Sequence, residues 1–199
     1  MIILWNEKLA FIAVPKTGTT AIEAALAPYA SISFGRQPSL KHMTHQRFNR
    51  FIRPYLNKEG QDDVEVFAVM REPISWLGSW YRYRQRDELV DTVNSTRGIS
   101  FDQFVQAYLQ PKNRPAYAQL GSQSRLLSIS RHEVGIRLLF RYENMSRLLD
   151  FLSDRLGARI NLGEYNVSPK MNLELTAVTE KQLRRQYALD FETYAAIAD

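Results

Sequence analysis

The chain has 199 residues, 45% of them hydrophobic and 24% charged, with no cysteine and a formal net charge of +5. That length and composition suit one globular domain, residues 1–199, with a full hydrophobic core, and exclude a disordered or low-complexity chain. The missing cysteine excludes a disulfide framework and thiolate metal sites, and the positive charge, spread over both halves with no basic tail, suits a polyanionic small ligand as well as it suits a nucleic acid.

Met1-Ile2-Ile3-Leu4-Trp5 lacks a basic leader region and is interrupted by Asn6-Glu7-Lys8, so no signal peptide is expected. No apolar run reaches bilayer length, and the expected location is cytoplasmic. Leu9-Ala10-Phe11-Ile12-Ala13-Val14 then reads as a strand, and Ala21-Ile22-Glu23-Ala24-Ala25-Leu26 as a helix ending near Pro28. Between them, Pro15-Lys16-Thr17-Gly18-Thr19-Thr20 falls on a strand-to-helix turn. Such a turn suits a phosphate: Gly18 permits close backbone approach, the first helical N–H groups lack partners, the helix dipole is positive there, and Lys16 adds a full charge. The plainer alternative is a junction in which Thr19 or Thr20 serves only as the helix N-cap.

Ser31-Ile32-Ser33-Phe34 is expected as a short second strand, followed by a turn at Gly35-Arg36-Gln37-Pro38. The next segment holds two of the three histidines, His42 and His45, at a spacing that shares one helical face. Each has a packing or surface alternative, and a metal-binding pair lacks a third ligand nearby in sequence. Residues 51–60, with Pro54 and Gly60, read as a surface connection.

Val64-Glu65-Val66-Phe67-Ala68-Val69-Met70 reads as a central strand covered on both faces. It ends in Arg71-Glu72-Pro73, with the proline placed to open a helix carrying Trp76, Leu77, Trp80 and Tyr81 on one face and Ser75 and Ser79 on another. A guanidinium fork, a hydroxyl and a helix N-terminus together suit a phosphate dianion; an Arg-Glu-Pro corner with a solvated helix is the plainer reading. Arg82-Tyr83-Arg84-Gln85-Arg86 extends that helix either as a solvated face or as the border of an acceptor cleft.

Ser100 and Gln103 form a capping box for a helix with Phe101, Phe104, Val105 and Tyr108, ended by Pro111. A long loop runs from Pro111 to Gln123. Ile136 to Phe140 is the last expected sheet strand, and the helix after it turns Met145, Leu148, Leu149, Leu152 and Leu156 inward before Gly157. Thr179 and Gln182 are expected to cap one terminal helix bearing Leu183, Tyr187, Phe191, Tyr194 and Ala198.

The loop Pro15 to Thr20 resembles the 5'-phosphosulfate-binding loop of sulfotransferases that use 3'-phosphoadenosine-5'-phosphosulfate (PAPS). It departs from the nucleoside triphosphate P-loop, in which the lysine follows the glycine. Arg71 at a strand end and Ser79 eight positions later resemble the 3'-phosphate motif of the same family, and the two motifs come in the family's order. Of the two histidines, His42 in Lys41-His42-Met43-Thr44 is similar to the catalytic base of the carbohydrate-type members, with His45 as the alternative. Gln123, the Tyr142-Glu143-Asn144 segment, Lys170 and the stretch Tyr187 to Tyr194 also resemble family features. The likeness covers nearly the whole chain and is strongest at residues 9–26 and 64–83.

This resemblance implies an α/β fold with a mainly parallel central sheet flanked by helices, the P-loop-like three-layer arrangement of sulfotransferases. It implies sulfuryl transfer from PAPS to an acceptor hydroxyl, a glycan or small metabolite, without a metal and without a nucleic-acid partner. Pro15, Lys16, Thr17, Gly18, Thr19, Thr20, Arg71 and Ser79 would hold the nucleotide; Lys16 and His42 would be catalytic. Lys170, in a loop where relatives carry basic residues near the 3'-phosphate, is a further candidate. A nucleotide or small-molecule kinase on a related fold, and a non-catalytic nucleotide- or RNA-binding relative, stay open as alternatives, as do the acceptor and the oligomeric state.

Overall fold

A computed structural model describes residues 1–35, 37–130, 133–163 and 173–198. Its centre is a five-stranded sheet of order β3-β1-β2-β4-β7, formed by β1 (Ile2–Leu4), β2 (Leu9–Ile12), β3 (Ile32–Ser33), β4 (Glu65–Met70) and β7 (Leu138–Arg141). The pairs β2·β4 and β4·β7 are parallel, whereas β1·β2 and β1·β3 are antiparallel. The sheet is therefore mixed, which corrects the expectation of a mainly parallel one. The cause lies in Met1 to Trp5, a segment that joins β2 through a tight turn closed by Lys8 N–H on Trp5 C=O at 3.3 Å, and so short a connection can only give an antiparallel pair.

Alternate residues of the central strands serve opposite faces. Ala10, Ile12, Val66, Ala68 and Met70 pack on one side with Phe48, Leu56 and Leu127, while Leu9, Phe11, Phe67, Val69 and Phe140 pack on the other with Ile22, Leu26, Leu148 and Leu152. Helices thus cover both faces: α1 (Thr19–Leu26) and α8 (Met145–Leu156) one, the segment through α3 (His45–Arg47) and α4 (Arg53–Lys58) together with α7 (Gln123–Leu127) the other. A third apolar cluster joins α5 (Pro73–Tyr83), α6 (Phe101–Leu109) and α9 (Ala177–Gln186) through Trp76, Leu77, Phe104, Tyr108 and Leu183. Other described elements include the short α2 (Pro38–Lys41), α10 (Ala188–Ala195), an antiparallel two-stranded sheet of β5 (Ser128–Ser130) and β6 (Glu133–Val134), and several 3-10 turns.

The capping box at Ser100 and Gln103 and the left-handed Gly157 after α8 agree with the sequence expectations. Other boundaries move. Residues 48–58 are helical rather than a bare connection, a π-turn running into α4 so that Leu56 is buried. The last sheet strand is Leu138–Arg141 rather than 136–140. The terminal helix is capped by Thr176, not Thr179, because the Thr176 hydroxyl accepts from Thr179 N–H. It also breaks at Tyr187, whose ring stacks on Tyr108 with centroids 4.5 Å apart. Among the described residues, no helix is long and apolar enough to cross a membrane.

Candidate functional site

Because β2 and β4 are parallel neighbours, the loops at their carboxyl ends lie side by side. The chain leaves β2 through Pro15 to Gly18 with Lys16 (φ 67°) and Gly18 (φ 74°) in the left-handed region. Gly18 is the N-cap of α1, so neither Thr19 nor Thr20 caps it, and the first backbone bond entering the helix is Ile22 N–H to Gly18 C=O at 3.1 Å. The amides just before Ile22 precede that ladder and face the positive end of the helix dipole. A Cβ on Gly18 would stand 3.4 Å from the Tyr142 ring, an ordinary contact, so the position favours glycine through its left-handed conformation.

Two braces hold this loop. Thr17 is fully buried and its hydroxyl donates to Val14 C=O at 2.8 Å; Trp76 Nε1, from α5, donates to Pro15 C=O at 2.8 Å. Thr17 therefore faces the interior and does not line the cleft beside its neighbours Pro15, Lys16, Gly18, Thr19 and Thr20.

Arg71 follows β4 directly. Pro73 opens α5 as expected, and Glu72 caps it by accepting from Ser75 N–H at 2.7 Å. The Arg71 Nε donates to Ser75 Oγ at 2.9 Å, and its guanidinium lies 4.4 Å over the Tyr142 ring. Gln123, for which the sequence reading has no role, is fully buried and bonds both polar groups of the Arg71 backbone. Asp190 in turn accepts from the backbone N–H groups of Gln123 and Ser124 and from the Ser124 hydroxyl. Burial raises the Asp190 carboxyl above its ordinary value, with those hydrogen bonds opposing the rise.

These elements enclose a cleft of about 550 Å³. Lys16, Lys41, Arg71, Arg82 and Arg86 line it with His42 and Ser79, and no carboxylate is among the lining residues that are described. Lys41 is ion-paired to Glu23 at 2.8 Å. The Lys16 ammonium sits 3.3 Å from the Tyr83 ring centroid and 4.9 Å from that of Trp80. Burial, reinforced by Arg86, Arg84 and Arg71, lowers its pKa to about 7.

The two histidines part company. His42 follows α2, lines the cleft, and places Nδ1 2.7 Å from Ala13 C=O. A carbonyl only accepts, so Nδ1 carries the proton and Nε2 keeps a free lone pair. Burial lowers the His42 pKa, partly countered by that bond, which favours the neutral ring at pH 7. His45 is 3% exposed, with Nδ1 3.3 Å from Leu127 C=O and Nε2 3.1 Å from Asn49 Nδ2. Both of its nitrogens have protein partners, and it does not line the cleft. The shared helical face expected for the pair is absent, since Thr44 caps a separate α3 beginning at His45.

The structure thus brings together Pro15, Lys16, Gly18, Thr19, Thr20, His42, Arg71 and Ser79 and turns Thr17 away. Lys170, with the rest of residues 164–172, lies outside the described residues. Of the other lining residues, Arg82, Tyr83 and Arg86 belong to the run read from the sequence as a solvated face or the border of an acceptor cleft, whereas Lys41 and Tyr142 have no role in that reading. Among the described residues, no group of three or more histidine, cysteine or carboxylate side chains is placed to hold a metal ion. Compared with protein-family models, curated proteins and solved structures, the chain matches none.

Proposed function

We propose that this cleft binds PAPS and transfers its sulfuryl group to an acceptor hydroxyl. The observation that carries the reading is the meeting, in one cleft without a carboxylate, of the Lys16 loop, the Arg71–Ser79 pair and a neutral histidine with a free Nε2. A ligand with a phosphate at each end matches two anion-binding corners on adjacent parallel strands. On this reading the fold is the P-loop-like sulfotransferase arrangement, with β1 and β3 added antiparallel at one edge.

The loop amides from Gly18 to Thr20 hold the 5'-phosphate, and Arg71 and Ser79 hold the 3'-phosphate. His42 Nε2 takes the proton of the acceptor hydroxyl as its oxygen bonds to sulfur, and the bond from sulfur to the bridging 5'-phosphate oxygen breaks. The electron pair leaves with adenosine 3',5'-bisphosphate. Protonated Lys16 stabilises the charge that builds on the sulfuryl and leaving phosphate oxygens, where fixed charge is most effective.

The test is incubation with sulfur-labelled PAPS and a panel of hydroxyl acceptors, glycans first. Labelled acceptor formed in step with adenosine 3',5'-bisphosphate is the expected result. Tight nucleotide binding without turnover across the panel favours a non-catalytic nucleotide-binding protein, and Mg²⁺-dependent consumption of ATP favours a kinase.

A further inference from the structure

Arg82 lines the same cleft as Arg71 and Ser79 and stands three residues beyond Ser79 on α5, on the same helical face. Its Nε is shielded from solvent and has no hydrogen-bond partner. The guanidinium lies back along the helix, with one terminal nitrogen 3.5 Å from where a Cβ on Gly78 would be. Leu173 packs at the same point, its Cδ1 2.3 Å from that Cβ position. Gly78 and Leu173 thus flank one terminal nitrogen of the fork, while its Nε is left without an acceptor among the described residues.

The surrounding charge points the same way. Burial and the neighbouring Arg71 both weaken the hold of Arg82 on its proton, and Tyr142 is the one group nearby that favours the charged form. Two guanidinium groups that repel each other across a cleft without a carboxylate are stabilised together by an anion that both can reach. Arg71 already commits its Nε to Ser75. Arg82 makes no such bond through its Nε among the described residues.

We propose that Arg82, with Arg71 and Ser79, forms a three-armed clamp for a phosphate monoester dianion. Assigning that monoester to the 3'-phosphate of an adenosine nucleotide rests on the function proposed above; the clamp itself does not. A dianion with three terminal oxygens offers one acceptor to each arm, whereas a phosphodiester offers two and half the charge. The third arm thus selects for a terminal phosphate.

The experiment is titration calorimetry on the full chain with adenosine 3',5'-bisphosphate, adenosine 5'-phosphate and inorganic phosphate, for wild type, Arg82→Gln, Arg82→Lys and Arg86→Gln. Arg82→Gln is expected to lower affinity for the bisphosphate by roughly 10- to 100-fold, as for loss of a charged hydrogen-bonding partner, and to leave adenosine 5'-phosphate little changed. Arg82→Lys should fall between, keeping the charge without the fork. Arg86→Gln should weaken both nucleotides alike, because Arg86 sits against Tyr83 near Lys16. If Arg82→Gln does not fold, the ratio is read from Arg82→Lys. Unchanged discrimination between the two nucleotides in a folded Arg82 variant overturns the clamp while leaving the nucleotide reading intact. Binding of inorganic phosphate that depends on Arg82, with neither nucleotide bound, upholds the clamp and overturns the nucleotide reading.

Discussion

Gln123 grips the backbone of Arg71 from both sides: its Oε1 accepts from Arg71 N–H at 2.9 Å and its Nε2 donates to Arg71 C=O at 2.7 Å. The strand end that carries the cleft guanidinium is thereby continued by a side chain where no neighbouring strand supplies the ladder. Asp190 fixes the start of α7 behind it. The position of Arg71 accordingly depends on residues far from it in sequence.

Gln123→Ala is expected to leave the part-buried Arg71 N–H and C=O without their side-chain partner and to cost about 1–3 kcal/mol of stability. Urea denaturation measures the loss. Nucleotide affinity should fall as well, because the guanidinium loses its fixed base. A variant with wild-type stability and affinity would show that water replaces the amide without consequence.

The histidines should separate cleanly. His42→Ala is expected to lower kcat by roughly 10²–10⁴-fold with nucleotide affinity nearly unchanged, as for a positioned base. His45→Ala removes a buried ring bonded to Leu127 and Asn49, so it should lower the melting temperature and keep turnover per folded molecule. The reverse pattern would make His45 the base, and full activity in both would require a carboxylate instead.

The pH dependence of kcat/KM for the nucleotide should be a narrow bell. His42 must be neutral, and burial puts its pKa below the ordinary 6.5; Lys16 must be protonated, and its pKa is about 7. The rate rises as His42 loses its proton and falls as Lys16 loses its own. Lys16→Arg should remove the alkaline limb, and an alkaline limb that survives in this variant would show that another group produces it.

The same lysine links stability to pH. The unfolded chain keeps the Lys16 proton up to the ordinary 10.5 while the folded chain releases it near 7. Between those values the unfolded state binds more protons, so the Lys16 contribution to stability rises with pH across that window and is lost as pH falls through 7. Lys16→Met should flatten the rise when thermal melts are compared from neutral to alkaline pH.

Gly18→Ala should be costly for its size. A non-glycine residue held in the left-handed region costs about 1–2 kcal/mol, and the added Cβ would reach van der Waals contact with the Tyr142 ring that lies under Arg71. A melting temperature lower by roughly 2–8 °C is expected, together with weaker phosphate binding. Wild-type stability in this variant would show that the loop relaxes freely.

The two loops of the cleft are legible in the sequence because their cause is local. Strands covered on both faces must be apolar throughout, so Leu9–Ile12 and Glu65–Met70 stand out, and the proline, glycine and basic residues after them impose turns and helix starts wherever the chain goes next. That both loops open one cleft follows from the parallel pairing of β2 and β4, which two apolar runs only suggest. Met1 to Trp5 shows the limit from the other side: a three-residue strand carries too little pattern, and it became a strand because β2 offered it an edge. The different surroundings of His42 and His45, the grip of Gln123 on Arg71 and the Arg82 Nε left without a partner among the described residues were decided by tertiary structure alone. Each depends on which groups the folded chain brings within about 3 Å of a polar atom, and hydrogen bonds act at that range whatever the separation in sequence. The sequence thus determined where the two strand-to-helix turns form, and the packing of distant segments determined which side chains meet in the cleft between them.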